Sequence, residues 1–169
     1  MSETSLRIAI VPGSFDPITY GHMDLVQRAA MEYDKVYLAV MINREKQYLF
    51  SLEQRKQIAE AAVGHLANVE VISSEGMLWK LAEDLNACAI VKGFRNQTDL
   101  LYEEKMAEYN LAHNPNAKTI LLEARNDLLS ISSTLVREKI AQGESLTDYL
   151  PAKAERLLHQ FLNQNSITF

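Results

Sequence analysis

Apolar residues come along this chain in short unbroken runs, separated by longer stretches in which they recur every three or four positions. The runs are Leu6 to Val11 (interrupted only by Arg7), Lys35 to Asn43, Val69 to Ile72, Ala87 to Val91 and Thr119 to Leu122. Continuous rather than alternating hydrophobicity predicts strands of a parallel sheet buried on both faces. Pro12-Gly13 is expected to stop the first of them, since proline has no N–H to donate and glycine tolerates unusual backbone angles. Between the runs, apolar residues at 23, 25, 26, 29, 30 and 33 have helical spacing. Ser51-Leu52-Glu53-Gln54 has the form of a capping box and should open a helix through about Ala62. Further helices are predicted over Gly76–Leu85, Thr98–Ala112, Leu135–Gln142 (closed by Gly143) and Ala152–Asn163 (opened by Pro151). Residues 164–169 carry no clear pattern.

Strand and helix thus alternate about five times. That order predicts one α/β domain over residues 1–169, a doubly wound parallel sheet with right-handed crossovers. Ligands of such sheets bind beyond the carboxyl ends of the strands, where strand order reverses. The polar, glycine-bearing segments 12–22, 43–47, 92–95 and 130–134 all fall at those ends and are expected to converge on one cleft.

Composition narrows the field. A chain of 169 residues can bury roughly 70% of its unfolded surface in one core. The net charge of -5 argues against broad, sequence-independent nucleic-acid binding but leaves room for a small anion in a local basic pocket. No apolar run approaches the roughly 20 residues of a membrane helix, and no cleavable cationic leader is visible, so a cytoplasmic protein is expected. The one cysteine, Cys88, excludes an internal disulfide; its neighbours Ala87, Ala89, Ile90 and Val91 predict a buried core thiol. Histidines 22, 65, 113 and 159 give no structural zinc spacing.

Four stretches carry candidate chemistry. The first is strand, glycine turn, helix over residues 8–33, which offers unpaired N–H groups and a positive helix end to a phosphate. His22 at that helix start and Ser14 in the turn could hold phosphate oxygens, although a lone histidine there also fits a cap or a surface residue. Lys46, after the second strand, fits either a solvated loop or the ligand edge. Lys92-Gly93-Phe94-Arg95 puts two cations around a glycine at the end of a buried strand. Arg95 could pair with Asp99 four residues on, or grip phosphate with its planar fork. Ser130, Ser132, Ser133 and Thr134 fit an N-cap cluster, yet three consecutive hydroxyls exceed what one cap requires.

Taken together, these strings carry a family resemblance. Gly13-Ser14-Phe15-Asp16-Pro17-Ile18-Thr19-Tyr20-Gly21-His22 resembles the signature of the nucleotidyltransferase superfamily, and most closely that of the bacterial phosphopantetheine adenylyltransferases. The family's Arg-Gly-x-Arg-x-x-x-Asp-x-x-Tyr-Glu pattern is matched at Gly93, Arg95, Asp99, Tyr102 and Glu103. Its Ile-Ser-Ser-Ser/Thr-x-Val-Arg/Lys motif is matched from Ile131 to Arg137. The resemblance spans nearly the whole chain. It implies a Rossmann-like nucleotidyltransferase fold and transfer of the adenylyl group of ATP to 4'-phosphopantetheine, giving dephospho-coenzyme A and pyrophosphate. It also implies Mg2+ carried largely by substrate and water, with no protein-built metal cage, and a homo-oligomer, a hexamer.

The same resemblance implies residue roles. His22, Lys46 and Arg95 would be catalytic, and Ser14, Lys46, Leu78 and Lys92 would contact the acceptor. ATP would meet Ser14, Phe15 and His22, then Gly93, Phe94, Arg95 and Glu103, and finally Leu128, Leu129, Ser130, Ile131, Ser132, Ser133 and Thr134. Asp16 and Pro17 would shape the first loop. Two positions depart from the pattern. Lys92 stands where the family usually has arginine, which keeps the charge and loses the fork, and Tyr20 stands where it often has asparagine. The rival readings are a related nucleotidyltransferase with another acceptor or with CTP, and a nucleotide-binding sensor without catalysis.

Overall fold

A computed structural model describes residues 5–166. Five strands, β1 (Ile8–Gly13), β2 (Lys35–Met41), β3 (Val69–Ser74), β4 (Ala89–Phe94) and β5 (Lys118–Glu123), form one parallel sheet in the order β3-β2-β1-β4-β5. Helices α1 (Tyr20–Glu32), α2 (Leu52–Val63), α3 (Leu78–Asp84), α4 (Gln97–His113), α5 (Ser133–Ala141) and α6 (Ala152–Ser166) supply the crossovers and the covering layers. The doubly wound α/β arrangement expected from the alternating runs is the one observed.

Successive strand residues point to opposite faces, so each apolar run feeds two cores. Ala9, Val11, Val36, Leu38, Val40 and Val91 pack with α1, α2 and α6 in the larger one. Ile10, Ala39 and Ile90 meet Ala82 and Leu81 of α3 in the smaller one. This second face is thinly covered, and α4 leaves Leu101, Tyr102, Met106, Tyr109 and Leu111 exposed.

Two expectations are corrected. Pro12-Gly13 does not stop β1, which runs on through Gly13 beside β2. The β4 side of β1 is paired only at Ala9 and Ile10, so Pro12 lies where the ladder is already one-sided and a missing N–H is tolerated. Cys88 is exposed rather than buried. It precedes β4, and its backbone bridges Ile8 and Lys118 while its apolar neighbours Ala87 and Ala89 turn inward. The parting of β1 from β4 after Ile10 is the reversal point of the sheet, and it opens the crevice in which the site lies.

Candidate active site

The crevice is a cleft of about 840 Å³, and the segments 12–22, 46–48, 92–95 and 131–134 meet in it as the strand order requires. At its centre is the first turn of α1. Thr19 is the N-cap: its hydroxyl accepts from the backbone N–H of His22 at 3.5 Å. In return, Nδ1 of His22 accepts from the backbone N–H of Thr19 at 3.0 Å. A backbone N–H can only donate, so Nδ1 is unprotonated and the neutral imidazole carries its proton on Nε2. Burial, with Lys92 and Arg95 nearby, pushes the His22 pKa down to about 4. The histidine is therefore both a cap and a neutral donor: the cap reading and the ligand reading of the sequence describe two nitrogens of one ring.

The first loop is tied to the 42–50 segment by buried groups. Asp16, 3% exposed, accepts from the backbone N–H of Leu49 (2.9 Å) and of Phe50 (3.1 Å). Phe15 lies at φ 48° with its ring edge-on to His22, 5.0 Å between centroids. The ring sits over Gly13, where a Cβ would come to about 3.0 Å from its tip, so a side chain there would push the ring away. Ser14 Oγ lies 3.4 Å from the Tyr48 hydroxyl. Lys46 is exposed on the cleft rim, its backbone N–H closing a turn onto Asn43.

Across the cleft, cations are held in side-chain ion pairs. Lys92 Nζ lies 3.4 Å from Glu103 Oε1. Arg95 lies 3.6 Å from Asp99, which also accepts the backbone N–H of Arg95 at 3.2 Å. The local pairing open to Arg95 in the sequence is thus formed, with the guanidinium still on the cleft wall. Gly93 and Phe94 complete that wall. Leu78 is not in the cleft. It lines a small adjoining cavity of about 90 Å³, which shares Lys92, Tyr102 and Glu103 with the cleft.

At the third motif the structure brings Leu128, Ile131, Ser132, Ser133 and Thr134 into the cleft, whereas Leu129 and Ser130 are exposed outside its lining. Each hydroxyl already has local work. Ser132 caps α5 by accepting from Leu135 N–H, Ser133 donates to Pro17 O at 2.8 Å, and Thr134 accepts from Arg137. Ser132 and Thr134 serve there as acceptors, so their O–H groups can still donate to an anion, beside the N–H groups of Ser133 and Thr134, which have no acceptor within the helix.

Arg28, Tyr48 and Arg137 also line the cleft and were not singled out by sequence reasoning; Arg137 stood in a motif without a role. Arg28, Lys46, Lys92, Arg95 and Arg137 make the lining cationic within a chain of net charge -5. The four carboxylates of the lining are engaged. Asp16 holds backbone N–H groups, Asp24 lies between Arg28 and Arg125, Asp99 holds Arg95, and Glu103 holds Lys92. No group of three or more His, Cys, Asp or Glu among the described residues could hold a metal ion, and no helix there is long and apolar enough to cross a membrane.

The start of α1, expected to offer unpaired N–H groups, is instead closed, since Tyr20 N–H donates to Tyr149 O and His22 N–H to Thr19. A parallel sheet whose reversal point carries a cationic cleft, a capping histidine and the open start of α5 is the arrangement of a nucleotidyltransferase-type α/β protein. The chain matches the cytidylyltransferase-like family over residues 10–139. A crystal structure of a candidate nicotinate-nucleotide adenylyltransferase from Vibrio parahaemolyticus superposes with a TM-score of 0.71 over 91% of this chain and 92% of that one. At 17% identity that likeness concerns the fold. Sequence relatives are more specific. A phosphopantetheine adenylyltransferase of Caldanaerobacter subterraneus subsp. tengcongensis is 41% identical over 92% of this chain and 98% of its own length. That of Lactobacillus acidophilus is 39% identical over 93% and 98%, and that of Chloroflexus aurantiacus 40% over 86% and 91%. The chain belongs to the phosphopantetheine adenylyltransferase family.

Proposed function

We propose that this protein transfers the adenylyl group of ATP to 4'-phosphopantetheine, releasing pyrophosphate and forming dephospho-coenzyme A. Family membership supports the reaction. The observation that carries the mechanism is the fixed tautomer of His22 at the start of α1. A phosphate oxygen of the acceptor attacks the α-phosphorus in line, and the bond to the bridging oxygen breaks as pyrophosphate leaves with the electron pair. No protein nucleophile or proton transfer is needed, so catalysis is positioning and charge stabilisation.

His22 donates through Nε2–H to the oxygens that gain charge at the reacting phosphorus. Ser14 and Lys46 hold the acceptor's phosphate, and Lys92 is their second cation. Arg95 and the N–H groups at the start of α5 neutralise the triphosphate, with Phe15, Gly93, Phe94 and Glu103 walling the nucleotide. Leu78 in the small cavity suits the apolar parts of the pantetheine arm. Because the lining carboxylates are engaged, they do not fit a protein-built magnesium cage. Mg2+ would arrive on the triphosphate, held by phosphate oxygens and water. A cytoplasmic, homo-oligomeric state, a hexamer, completes the proposal; the apolar residues exposed along α4 support an assembly, and light scattering would count its subunits.

The test is pyrophosphate release from ATP and magnesium with and without 4'-phosphopantetheine, with CTP and nicotinate mononucleotide as controls. Release that needs ATP and 4'-phosphopantetheine together is expected. Release with another pair would move the specificity, and ATP binding without release from any pair would replace catalysis by sensing.

A further inference from the structure

Arg55 lies in the first turn of α2, outside every motif, and is 1% exposed. Its guanidinium has no carboxylate partner within ion-pair distance among the described residues. Instead it donates to three backbone carbonyls from three segments. Nη1 reaches Ser14 O at 2.7 Å and Met41 O at 3.0 Å, and Nε reaches Phe50 O at 3.2 Å. Its remaining face is covered by the Tyr48 ring, 3.9 Å from the guanidinium carbon to the ring centroid. The Tyr48 hydroxyl accepts from Asn43 N–H at 2.7 Å and lies 3.4 Å from Ser14 Oγ.

A buried cation is costly unless it is hydrogen-bonded, so the three bonds made by Nη1 and Nε fix these carbonyls relative to one another. Met41 and Phe50 are the two feet of the arch that carries Lys46, and Ser14 is the neighbouring tip of the first loop. We propose that Arg55, directly and through Tyr48, is a positioning residue that sets Ser14 and Lys46 in register for the acceptor's phosphate. This rests on the roles given above to Ser14 and Lys46. Only the guanidinium's fixed fork can span the three acceptors, since lysine supplies the charge from a single point. The nucleotide side of the cleft is built from β4, α4 and α5, and α5 meets the first loop at Pro17 and Asp16, through Ser133 and Arg137, rather than at the three carbonyls of this clamp.

The test compares Arg55→Lys and Tyr48→Phe with the unaltered enzyme, measuring KM for 4'-phosphopantetheine and for ATP separately, with thermal unfolding alongside. Arg55→Lys is expected to raise the acceptor's KM about tenfold or more, since small misplacements of positioning groups are costly, while ATP's KM stays within about twofold. Tyr48→Phe, which keeps every donor of Arg55, should shift the acceptor's KM in the same direction by less. In a Lys46→Ala background, Arg55→Lys should add little, because its effect runs largely through the arch. Lower stability with both KM values unchanged, or an equal rise in both, would make Arg55 merely structural and overturn the proposal. If Arg55→Lys does not fold, an unchanged acceptor KM in Tyr48→Phe overturns it. Absence of turnover in the unaltered enzyme would instead count against the reaction itself.

Discussion

Asp16 and Asp99 stand on opposite walls of one cleft, and each accepts backbone N–H groups, yet they hold their walls differently. The Asp16 side chain is 4% exposed and fixes Leu49 and Phe50, with Arg55 gripping the same segment from beneath. The Asp99 side chain is 37% exposed and holds Arg95, itself 44% exposed, in an ion pair across the N-cap of α4. The wall assigned to the acceptor is thus built from buried charges spent mainly on backbone, with Arg137 meeting the Asp16 carboxylate only at 3.9 Å. The wall assigned to ATP presents cations whose partners can be exchanged. A buried charge left without its partner costs several kcal/mol, whereas an exposed pair contributes about 0–1 kcal/mol. The first wall is suited to set geometry before substrate arrives, and the second to trade a carboxylate for a phosphate.

The contrast can be broken at its strongest point. Asp16→Ala leaves two backbone N–H groups without their acceptor and should destabilise the protein by about 2–4 kcal/mol in denaturant titration. It should also weaken the acceptor side more than ATP binding. A loss under 1 kcal/mol would mean that the first loop is not fixed as described.

Next in size is His22→Gln. Glutamine at this position of a capping box can still accept the Thr19 N–H, so the helix start is kept and the imidazole alone is removed. Turnover should fall on the order of 10²-fold or more, as for loss of a transition-state donor, with the melting temperature little changed. Acid sharpens the same comparison. Unfolded His22 protonates near its ordinary 6.5, whereas folded His22 stays neutral down to about 4. The unfolded state therefore binds more protons in that window, and stability is lost as pH falls from 6.5 toward 4. The His22→Gln variant lacks this term, so its stability relative to the unaltered protein should improve across that window and level off below it.

The smallest effect is expected on the exchangeable wall. Asp99→Ala should cost less than about 1 kcal/mol of stability and change ATP affinity only a few-fold, read by calorimetry. A loss as large as that of Asp16→Ala would erase the distinction between the walls.

How far these walls were legible in the sequence follows the same line. The sheet was legible because burial on both faces leaves unbroken apolar runs, and the capping box at Ser51 opens a helix at Leu52 as its pattern predicts; the box at Thr19 was not, because histidine rather than Glu or Gln closes it. The end of β1 was not, because Pro12 is tolerated only once β4 has drawn away, a fact of pairing rather than of composition. The exchangeable wall was readable as Arg95–Asp99, a contact four residues apart. The fixed wall was not: Arg55 reaches Ser14 across 41 residues, and Asp16 reaches Phe50 across 34. In Glu53-Gln54-Arg55-Lys56-Gln57 nothing local separates a buried guanidinium from a solvated one. His22 was seen as a candidate, but its tautomer could only come from knowing which N–H its ring accepts.

That tautomer is the mechanism's central claim, and nitrogen chemical shifts of the His22 ring in the ligand-free protein near pH 7 test it most directly. A protonated Nε2 and an unprotonated Nδ1 are expected, with no protonation of the ring until pH falls toward about 4. A ring protonated on Nδ1, or one that titrates near 6.5, would contradict it.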